Sequence, residues 1–212
     1  MMNRPYAWQT LPEGYQNYKN LDLIKDQKLL ILLSLASVGL FIACWVGLTW
    51  LMIRLRPELA SEGVSFSLAS DSTGSFITPL LVLLAVIFAM VILHEAIHGL
   101  FFRLFTGGKV KFAFKGAYAY AAAPDWYIDK VPYMLISLAP LVLITIVCVI
   151  LLLFIPVGWV LPMMLLIALN TSGAIGDIYV FFLLLRTPGN VLIQDFGEQM
   201  SIFIYDGKKN GH

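Results

Sequence analysis

Four long runs of apolar residues set the strongest limit on what this chain can fold into. The runs cover residues 29–53, 76–105, 131–155 and 157–185 and contain few charged side chains. A helix of about 20 residues crosses a hydrocarbon layer about 30 Å thick, so each run is long enough to span a membrane. Strands of a membrane barrel would alternate apolar and polar residues, and these runs do not. The sequence therefore predicts an all-α membrane protein, with residues 1–212 forming a single integral membrane domain of four transmembrane helices.

The amino-acid composition supports this class. Hydrophobic residues make up 59% of the chain and charged residues 13%, whereas a soluble domain has about 25% charged residues. So few charged side chains leave too little polar surface to face water, and we expect the lipid bilayer to surround the chain. The net charge of +1 provides no positive field for a nucleic-acid backbone, so nothing here supports a nucleic-acid partner. Cys44 and Cys148 lie within apolar runs and are expected to behave as small hydrophobic residues.

The distribution of Lys and Arg predicts the orientation of the helices. Of the 14 basic residues, 12 lie before the first run, from the end of the second run to the third, or after the fourth. Only Arg54 and Arg56 lie on the other side. Because cytoplasmic segments of membrane proteins are enriched in Lys and Arg, we expect both termini in the cytoplasm, at the cell membrane if the source is bacterial. The second and fourth helices would then run in the same direction.

The segment 106–125 has the pattern of a short strand pair. From 109 to 115 lysines alternate with apolar residues, Gly116 follows, and 117–120 alternates again around two tyrosines. This pattern predicts a small β-hairpin at the cytoplasmic membrane surface. The alternative is an irregular interfacial loop, with lysines that extend to water and aromatic rings that anchor the loop at the membrane boundary.

The second run contains the motif His94-Glu95-Ala96-Ile97-His98. Residues four apart on a helix lie nearly one above the other, so the two imidazoles can take neighbouring corners of a zinc tetrahedron. Glu95 can reach a water on the metal and act as general base. The alternative is a buried hydrogen-bond network without chemistry, but ionisable groups within a membrane helix are costly and usually functional. The motif predicts a centre with one zinc ion.

A catalytic zinc usually has three protein ligands, so a third is expected at the same depth in the membrane. Asp177 is the only carboxylate inside another run. His94 lies nine residues before Arg103, and Asp177 lies nine residues before Arg186. Both therefore lie about 13 Å from the cytoplasmic end of their helices, which predicts that Asp177 is the third ligand. Alternatively, Asp177 is a protonated group hydrogen-bonded to a neighbouring helix. Three acidic residues in cytoplasmic segments are rivals for the third position: Asp125, Asp129 and Glu198.

Asn170 lies seven residues before Asp177, so the two side chains share a helix face about 10 Å apart. The Asn170 amide could donate a hydrogen bond to a developing oxyanion or hold a substrate backbone. The alternative is a hydrogen bond that only joins two helices. Small residues surround this position and allow close helix packing, with or without a shared metal: Ser172, Gly173, Ala174 and Gly176.

This arrangement resembles the site-2 protease family of intramembrane zinc metalloproteases and is similar to a bacterial group of short multipass zincin peptidases. The resemblance covers about Phe76 to Leu185. It implies that zinc is ligated by the two histidines and Asp177, that Glu95 activates water and that Asn170 assists. The sequence departs from the site-2 protease pattern, which has Asn-Pro and Asp-Gly pairs, because Thr171 and Ile178 follow the two residues here.

The predicted function is therefore an intramembrane zinc metalloprotease that hydrolyses a peptide bond in a membrane-anchored protein substrate. A catalytically inert metal-binding membrane scaffold or regulator is the alternative, because it would need the same helices and the same ligands. A transporter or proton channel would also place Asp and His in the membrane, but it has no particular use for Glu95 between two histidines.

Overall fold

A computed structural model describes residues 6–22, 25–59, 77–116 and 118–206 of the chain. The predicted first residue of the second helix, Phe76, lies outside this part. Three long helices form where the sequence has its first three apolar runs: α1 (Gln27–Leu55), α2 (Ile77–Thr106) and α3 (Lys130–Leu152). Each is long and apolar enough to cross a membrane.

Polar residues and glycine fix the ends of these helices. Asp26 precedes α1, and its carboxylate accepts a hydrogen bond of 3.1 Å from the backbone N–H of Leu29, which would otherwise lack a partner within the helix. Gly107 follows α2 with a φ of +66°, a left-handed conformation that glycine adopts without steric strain. The amide of Gly107 donates to the Arg103 carbonyl at 2.7 Å. Helix α1 therefore begins, and helix α2 ends, where the sequence supplies a capping residue.

The predicted fourth helix is broken into two. Helix α4 (Val157–Gly173) is followed by α5 (Ile175–Arg186), and their axes differ by 41°. The break at Ala174 lies between Gly173 and Gly176, and glycine is a poor helix former. The expectation of one continuous helix over 157–185 was wrong for this reason. If the bent pair forms one span, the described residues contain four helices of membrane-spanning length and composition, and otherwise three.

The all-α class also needs a correction, because the described residues include a five-stranded antiparallel sheet. Its order is β1-β5-β6-β7-β2. The strands are β1 (Ala7–Trp8), β2 (Tyr15–Asp22), β5 (Tyr127–Asp129), β6 (Val191–Asp195) and β7 (Gln199–Tyr205). Strands far apart in sequence pair here, since β2 pairs with β7 and β1 with β5. Such pairing leaves little local signal in the sequence.

The predicted hairpin is present within 106–125. Strand β3 (Lys111–Phe114) pairs antiparallel with β4 (Ala119–Ala122), and Phe112 is opposite Ala121. Gly116 lies in the connection with a φ of +81°. The alternation of lysines and apolar residues was therefore a correct strand signal.

The chain divides into two compact units. The first comprises Met1–Leu33, Glu95–Pro140 and Gly176–His212. It contains both sheets and a hydrophobic core formed by sheet residues such as Ile128 and Ile193 and by helix residues such as Phe102 and Leu184.

The second unit comprises Ser34–His94 and Leu141–Ile175. Its buried residues include Met52, Leu152 and Met164. Arg56 holds the end of α3, because its guanidinium donates to the carbonyls of Leu152 at 3.2 Å and Ile155 at 2.7 Å. Carbonyls at the C-terminal end of a helix have no N–H donor within the helix, and the arginine supplies donors for these two.

Candidate metal centre

Helix α2 carries the HExxH motif and continues unbroken through it. His94 and His98 are both buried, with 8% of each residue exposed. They lie one turn apart on the same helix, so their imidazoles are directed to the same side. The geometry predicted for two neighbouring metal ligands therefore follows from the helix alone.

Asp177 lies in the first turn of α5. Its Oδ1 is 3.5 Å from Nε2 of His98, within the first compact unit. The N-terminal end of a helix carries a partial positive charge, which attracts a carboxylate. The break between α4 and α5 thus gives Asp177 an environment that a continuous helix would not provide.

The two histidines and Asp177 meet in space. One ligand atom from each of His94, His98 and Asp177 lies within 4.8 Å of the other two. In the part of the chain that the structure describes, this is the one group of three or more His, Cys, Asp or Glu residues placed to hold a metal ion. The matched depths of His94 and Asp177 in the sequence therefore pointed to residues that come together.

The outer nitrogen of His98 has a fixed hydrogen-bond partner. Its Nδ1 is 3.0 Å from the backbone carbonyl of Ile136 in α3. A carbonyl oxygen can only accept, so Nδ1 must carry a proton, and Nε2, which lies nearest Asp177, is the nitrogen that remains to bind a metal. Metal-binding histidines commonly have such an outer acceptor, which fixes the ring and its tautomer.

His94 has a comparable partner in Asn170, which is fully buried in α4. Oδ1 of Asn170 is 3.0 Å from Nδ1 of His94. Nδ2 of Asn170 faces the Leu141 carbonyl at 3.5 Å and Oγ1 of Thr145 at 3.4 Å. Because the carbonyl can only accept, the amide group must face it, and the oxygen is left for His94. Asn170 therefore contacts a predicted ligand, and Nε2 of His94 is the nitrogen that remains for a metal.

The donor set fits zinc. Two imidazole nitrogens and one carboxylate oxygen are one of the ligand combinations found in catalytic zinc sites, which keep a fourth position open. Two ligand atoms at zinc-bond distance and tetrahedral angle lie about 3.4 Å apart, close to the 3.5 Å between Nε2 of His98 and Oδ1 of Asp177. The outer hydrogen bonds add to the fit, because they engage Nδ1 of each imidazole and leave Nε2 as the nitrogen that can bind a metal.

Glu95 lies next to His94 on α2 and is partly buried. It is close enough to His98 to interact electrostatically. Its position is therefore consistent with the predicted general base.

The three rival carboxylates lie elsewhere. Asp125 is exposed, and Asp129 ends strand β5. Glu198 lies in the connection between β6 and β7 and is 3.8 Å from Nζ of Lys115. None of them belongs to the group formed by the two histidines and Asp177.

The β3–β4 hairpin lies against α2 beside the motif. A Cβ atom at Gly99, the residue after His98, would come within 2.2 Å of Cζ of Phe112 in β3. Only glycine lets the Phe112 ring lie this close to the helix. Phe112 is nevertheless 59% exposed, so the hairpin presents apolar surface next to the predicted centre.

A buried tyrosine–aspartate pair near this site was not predicted from the sequence. The Tyr133 hydroxyl donates to Oδ2 of Asp195 at 2.5 Å, and the Gly197 amide donates to Oδ1 at 2.6 Å. Burial raises the pKa of the Asp195 carboxyl, and the two donated hydrogen bonds act in the opposite direction. The Tyr133 ring packs on Phe102, which is one turn beyond His98 on α2. The pair therefore joins strand β6 to the helix whose Ile136 carbonyl holds His98.

The chain also matches a known protein family over the region that holds this centre. A family profile described as "Putative zincin peptidase" matches residues 87–192, which is half of the chain. This chain belongs to that family. The matched region contains the HExxH motif, the hairpin and all three residues of the candidate centre. Membership in the zincin peptidase family indicates a zinc metallopeptidase. Neither a curated protein nor a solved structure matches the chain.

Proposed function

We propose that this chain is an integral membrane zinc metallopeptidase of the site-2 protease type, which cleaves a peptide bond in a membrane-anchored protein. The proposal is carried by the meeting of His94, His98 and Asp177 within 4.8 Å. Metal binding by these three residues, and the chemistry that follows, are parts of the proposal. The proposal also includes the location of both termini in the cytoplasm and, for a bacterial source, insertion in the cell membrane.

The exposed surface of the helices supports insertion in a membrane. Helix α1 has large apolar side chains exposed at four-residue intervals, including Val38, Ile42, Val46 and Trp50, each at least 56% exposed. A soluble protein rarely leaves a continuous apolar surface of this length in water. Lipid is the environment in which such a surface is stable, and the distribution of Lys and Arg then sets the orientation.

Zinc would be held by His94, His98 and Asp177, and when bound it lowers the pKa of a coordinated water to about 7 and polarises a carbonyl. Glu95 accepts the proton from the attacking water and passes it to the leaving amine. Its position on α2 next to His94 would place its carboxylate near a water bound at this centre.

Asn170 acts as a positioning residue. Its side chain is fully buried, and its amide oxygen contacts Nδ1 of His94. The Ile136 carbonyl does the same for His98. Both contacts fix the tautomer in which Nε2 can bind the metal, and this role replaces a direct contact between Asn170 and substrate.

The substrate must be extended where it is cut, because the carbonyls of a helix are already hydrogen-bonded. The β3–β4 hairpin lies against α2 at Gly99, one residue beyond His98, and consists of only two strands. An unpaired strand edge can add an extended peptide by backbone hydrogen bonds. The hairpin is therefore the proposed surface that holds the unwound substrate beside the metal.

The test compares membranes that contain wild-type chain, Glu95→Gln or Glu13→Gln, each loaded with zinc. New protein N-termini are labelled and identified, a readout that detects cleavage of any membrane protein present. We expect wild type and Glu13→Gln to generate the same new termini, because Glu13 is exposed outside the candidate site. Glu95→Gln should retain zinc but lower the rate at least about 100-fold. Retained cleavage in Glu95→Gln would contradict the general-base role, and zinc binding without cleavage in wild type would favour an inert metal-binding scaffold.

A further inference from the structure

A cavity of about 710 Å³ lies in the first compact unit, and no residue of the candidate metal centre lines it. Its walls include Phe105 from the last turn of α2 and Lys130, the first residue of α3. The volume is in the range of sites that bind small molecules. In the proposed orientation, both helix ends lie at the cytoplasmic boundary of the membrane.

One part of the cavity combines aromatic rings with a carboxylate. Tyr6, Tyr15, Phe105 and Asp129 all line it, and we call these four residues the ammonium subsite. The rings of Tyr6 and Phe105 meet edge to face, with centroids 6.4 Å apart. The Asp129 amide donates to the Tyr6 carbonyl at 3.0 Å, and Tyr15 is close enough to Asp129 to interact electrostatically.

Aromatic faces and a carboxylate together attract a cation. Burial raises the pKa of the Asp129 carboxyl, and a positive group next to it would offset this cost of burial. Alkylammonium groups are the class of ligand whose charge and apolar surface match both components.

Lys130, the residue after Asp129, provides a positive charge in the same cavity. Lys130 lines the same cavity, and its Nζ donates to the Thr187 carbonyl at 2.6 Å. A lysine ammonium group has three N–H donors, so this bond holds the side chain in place and leaves donors for an anion. The cavity therefore presents a negative and a positive group on consecutive residues.

An apolar surface continues from the cavity along α3. Val131 and Leu135 line the cavity, lie one turn apart, and are 64% and 54% exposed. In the proposed orientation this surface faces lipid, so a ligand in the cavity can have hydrocarbon chains that lie along the helix.

We propose that the cavity binds the headgroup of a zwitterionic phospholipid, with its ammonium group in the ammonium subsite and its phosphate beside Lys130. The acyl chains lie along α3 from Val131 and Leu135. The inference rests on the proposed membrane insertion and not on zinc or peptidase activity. Carbonate extraction of membranes tests insertion separately, so failure of one proposal can be distinguished from failure of the other.

The test uses purified full-length chain in detergent, with phosphatidylethanolamine and phosphatidylglycerol of identical acyl chains added in equal amounts. Native mass spectrometry measures the ratio of the two bound lipids. We expect wild type to favour phosphatidylethanolamine about tenfold, because only this lipid carries an ammonium group for Asp129 and the rings. Equal binding of the two lipids by wild type would overturn the proposal.

Two variants and one control test which residues cause the preference for phosphatidylethanolamine. Asp129→Asn should reduce the lipid preference to near equality, and Tyr6→Leu should reduce it severalfold while leaving the backbone pairing of Tyr6 with Asp129 intact. Asp125→Asn makes the same chemical change at an exposed position four residues away and should keep the wild-type ratio. An unchanged ratio in both Asp129→Asn and Tyr6→Leu would overturn the proposal even if wild type shows a preference.

A last comparison separates a lipid from a soluble ligand with the same headgroup. Glycerophosphoethanolamine, which lacks acyl chains, should compete only at concentrations at least about 100-fold higher than phosphatidylethanolamine, because burial of hydrocarbon along α3 is lost. Equal competition by the two compounds would show that the cavity takes a soluble zwitterion, and this result would contradict the assignment to lipid.

Discussion

Replacement of Asn170 by Ala tests whether outer hydrogen bonds prepare the centre for metal. The change removes the oxygen that lies 3.0 Å from Nδ1 of His94, while His94 itself is retained. His94 would then lose the contact that fixes its tautomer and ring orientation. Loss of such an outer partner typically weakens metal binding about 10–100-fold, equivalent to about 1.4–2.7 kcal/mol.

The assay is competition for zinc between the purified chain and a chromophoric chelator, at fixed pH. Ser172→Ala is the matched control, because Ser172 is also buried in α4 and its hydroxyl donates to the Leu169 carbonyl at 3.2 Å rather than to a histidine. Asn170→Asp keeps an acceptor oxygen and should bind zinc more tightly than Asn170→Ala. Wild-type zinc affinity in Asn170→Ala, with the fold intact by thermal unfolding, would refute the positioning role.

Two further changes test the structure around the centre. Tyr133→Phe removes the hydroxyl that donates to buried Asp195 and should lower the free energy of unfolding by about 1–3 kcal/mol; Tyr18→Phe, at an exposed ring, is the control, and equal thermal stabilities would contradict the expected loss. Gly99→Ala should displace the Phe112 ring and increase proteolysis in the hairpin, because its Cβ would lie 2.2 Å from that ring. A second change, Phe112→Ala, should restore protection. Gly173→Ala, where the nearest contact is at 4.0 Å, should have no such effect.

The helices and the hairpin could be predicted because their signals are local. An apolar run longer than a membrane is thick has few alternatives to a helix, and the alternation in 109–120 identified β3 and β4. The break at Ala174 was missed because the residues around it remain apolar, although Gly173 and Gly176 weaken the helix there.

The five-stranded sheet could not be predicted in the same way. Strand β2 is exposed along most of its length, so it lacks the alternation of apolar and polar residues that identifies a half-buried strand. Its pairing with β7 joins segments about as far apart in sequence as the chain allows. Only the complete fold brings such partners together, and β6, which is buried on both sides, reads simply as a short apolar run.

The same difference between local signals and long-range contacts applies to the candidate centre. The HExxH motif predicts two ligands and a base because a helix fixes their spacing, and the equal distances of His94 and Asp177 from the next arginine predicted that Asp177 is the third ligand; ligand atoms of these three residues lie within 4.8 Å of one another. The partner of His98 is the backbone carbonyl of Ile136, which has no signature in the sequence. Asn170 was noticed, but its contact with His94 depends on how α4 packs against α2 within the second unit. The residues of the candidate centre could be predicted from the sequence, whereas the hydrogen bonds to the outer nitrogens of the two histidines depend on the complete fold.

The most direct test of the account is the zinc content of the purified chain beside that of Asp177→Ala. In the proposed centre, His94, His98 and Asp177 hold one ion together. Wild type should contain about one zinc per chain, and Asp177→Ala should lose most of it after dialysis against a weak chelator. Asp206→Ala, at an exposed position, should retain it. Wild-type chain that binds no zinc under conditions where it remains folded would mean that Asp177 only forms an ion pair with His98, and the proposed peptidase centre would be wrong.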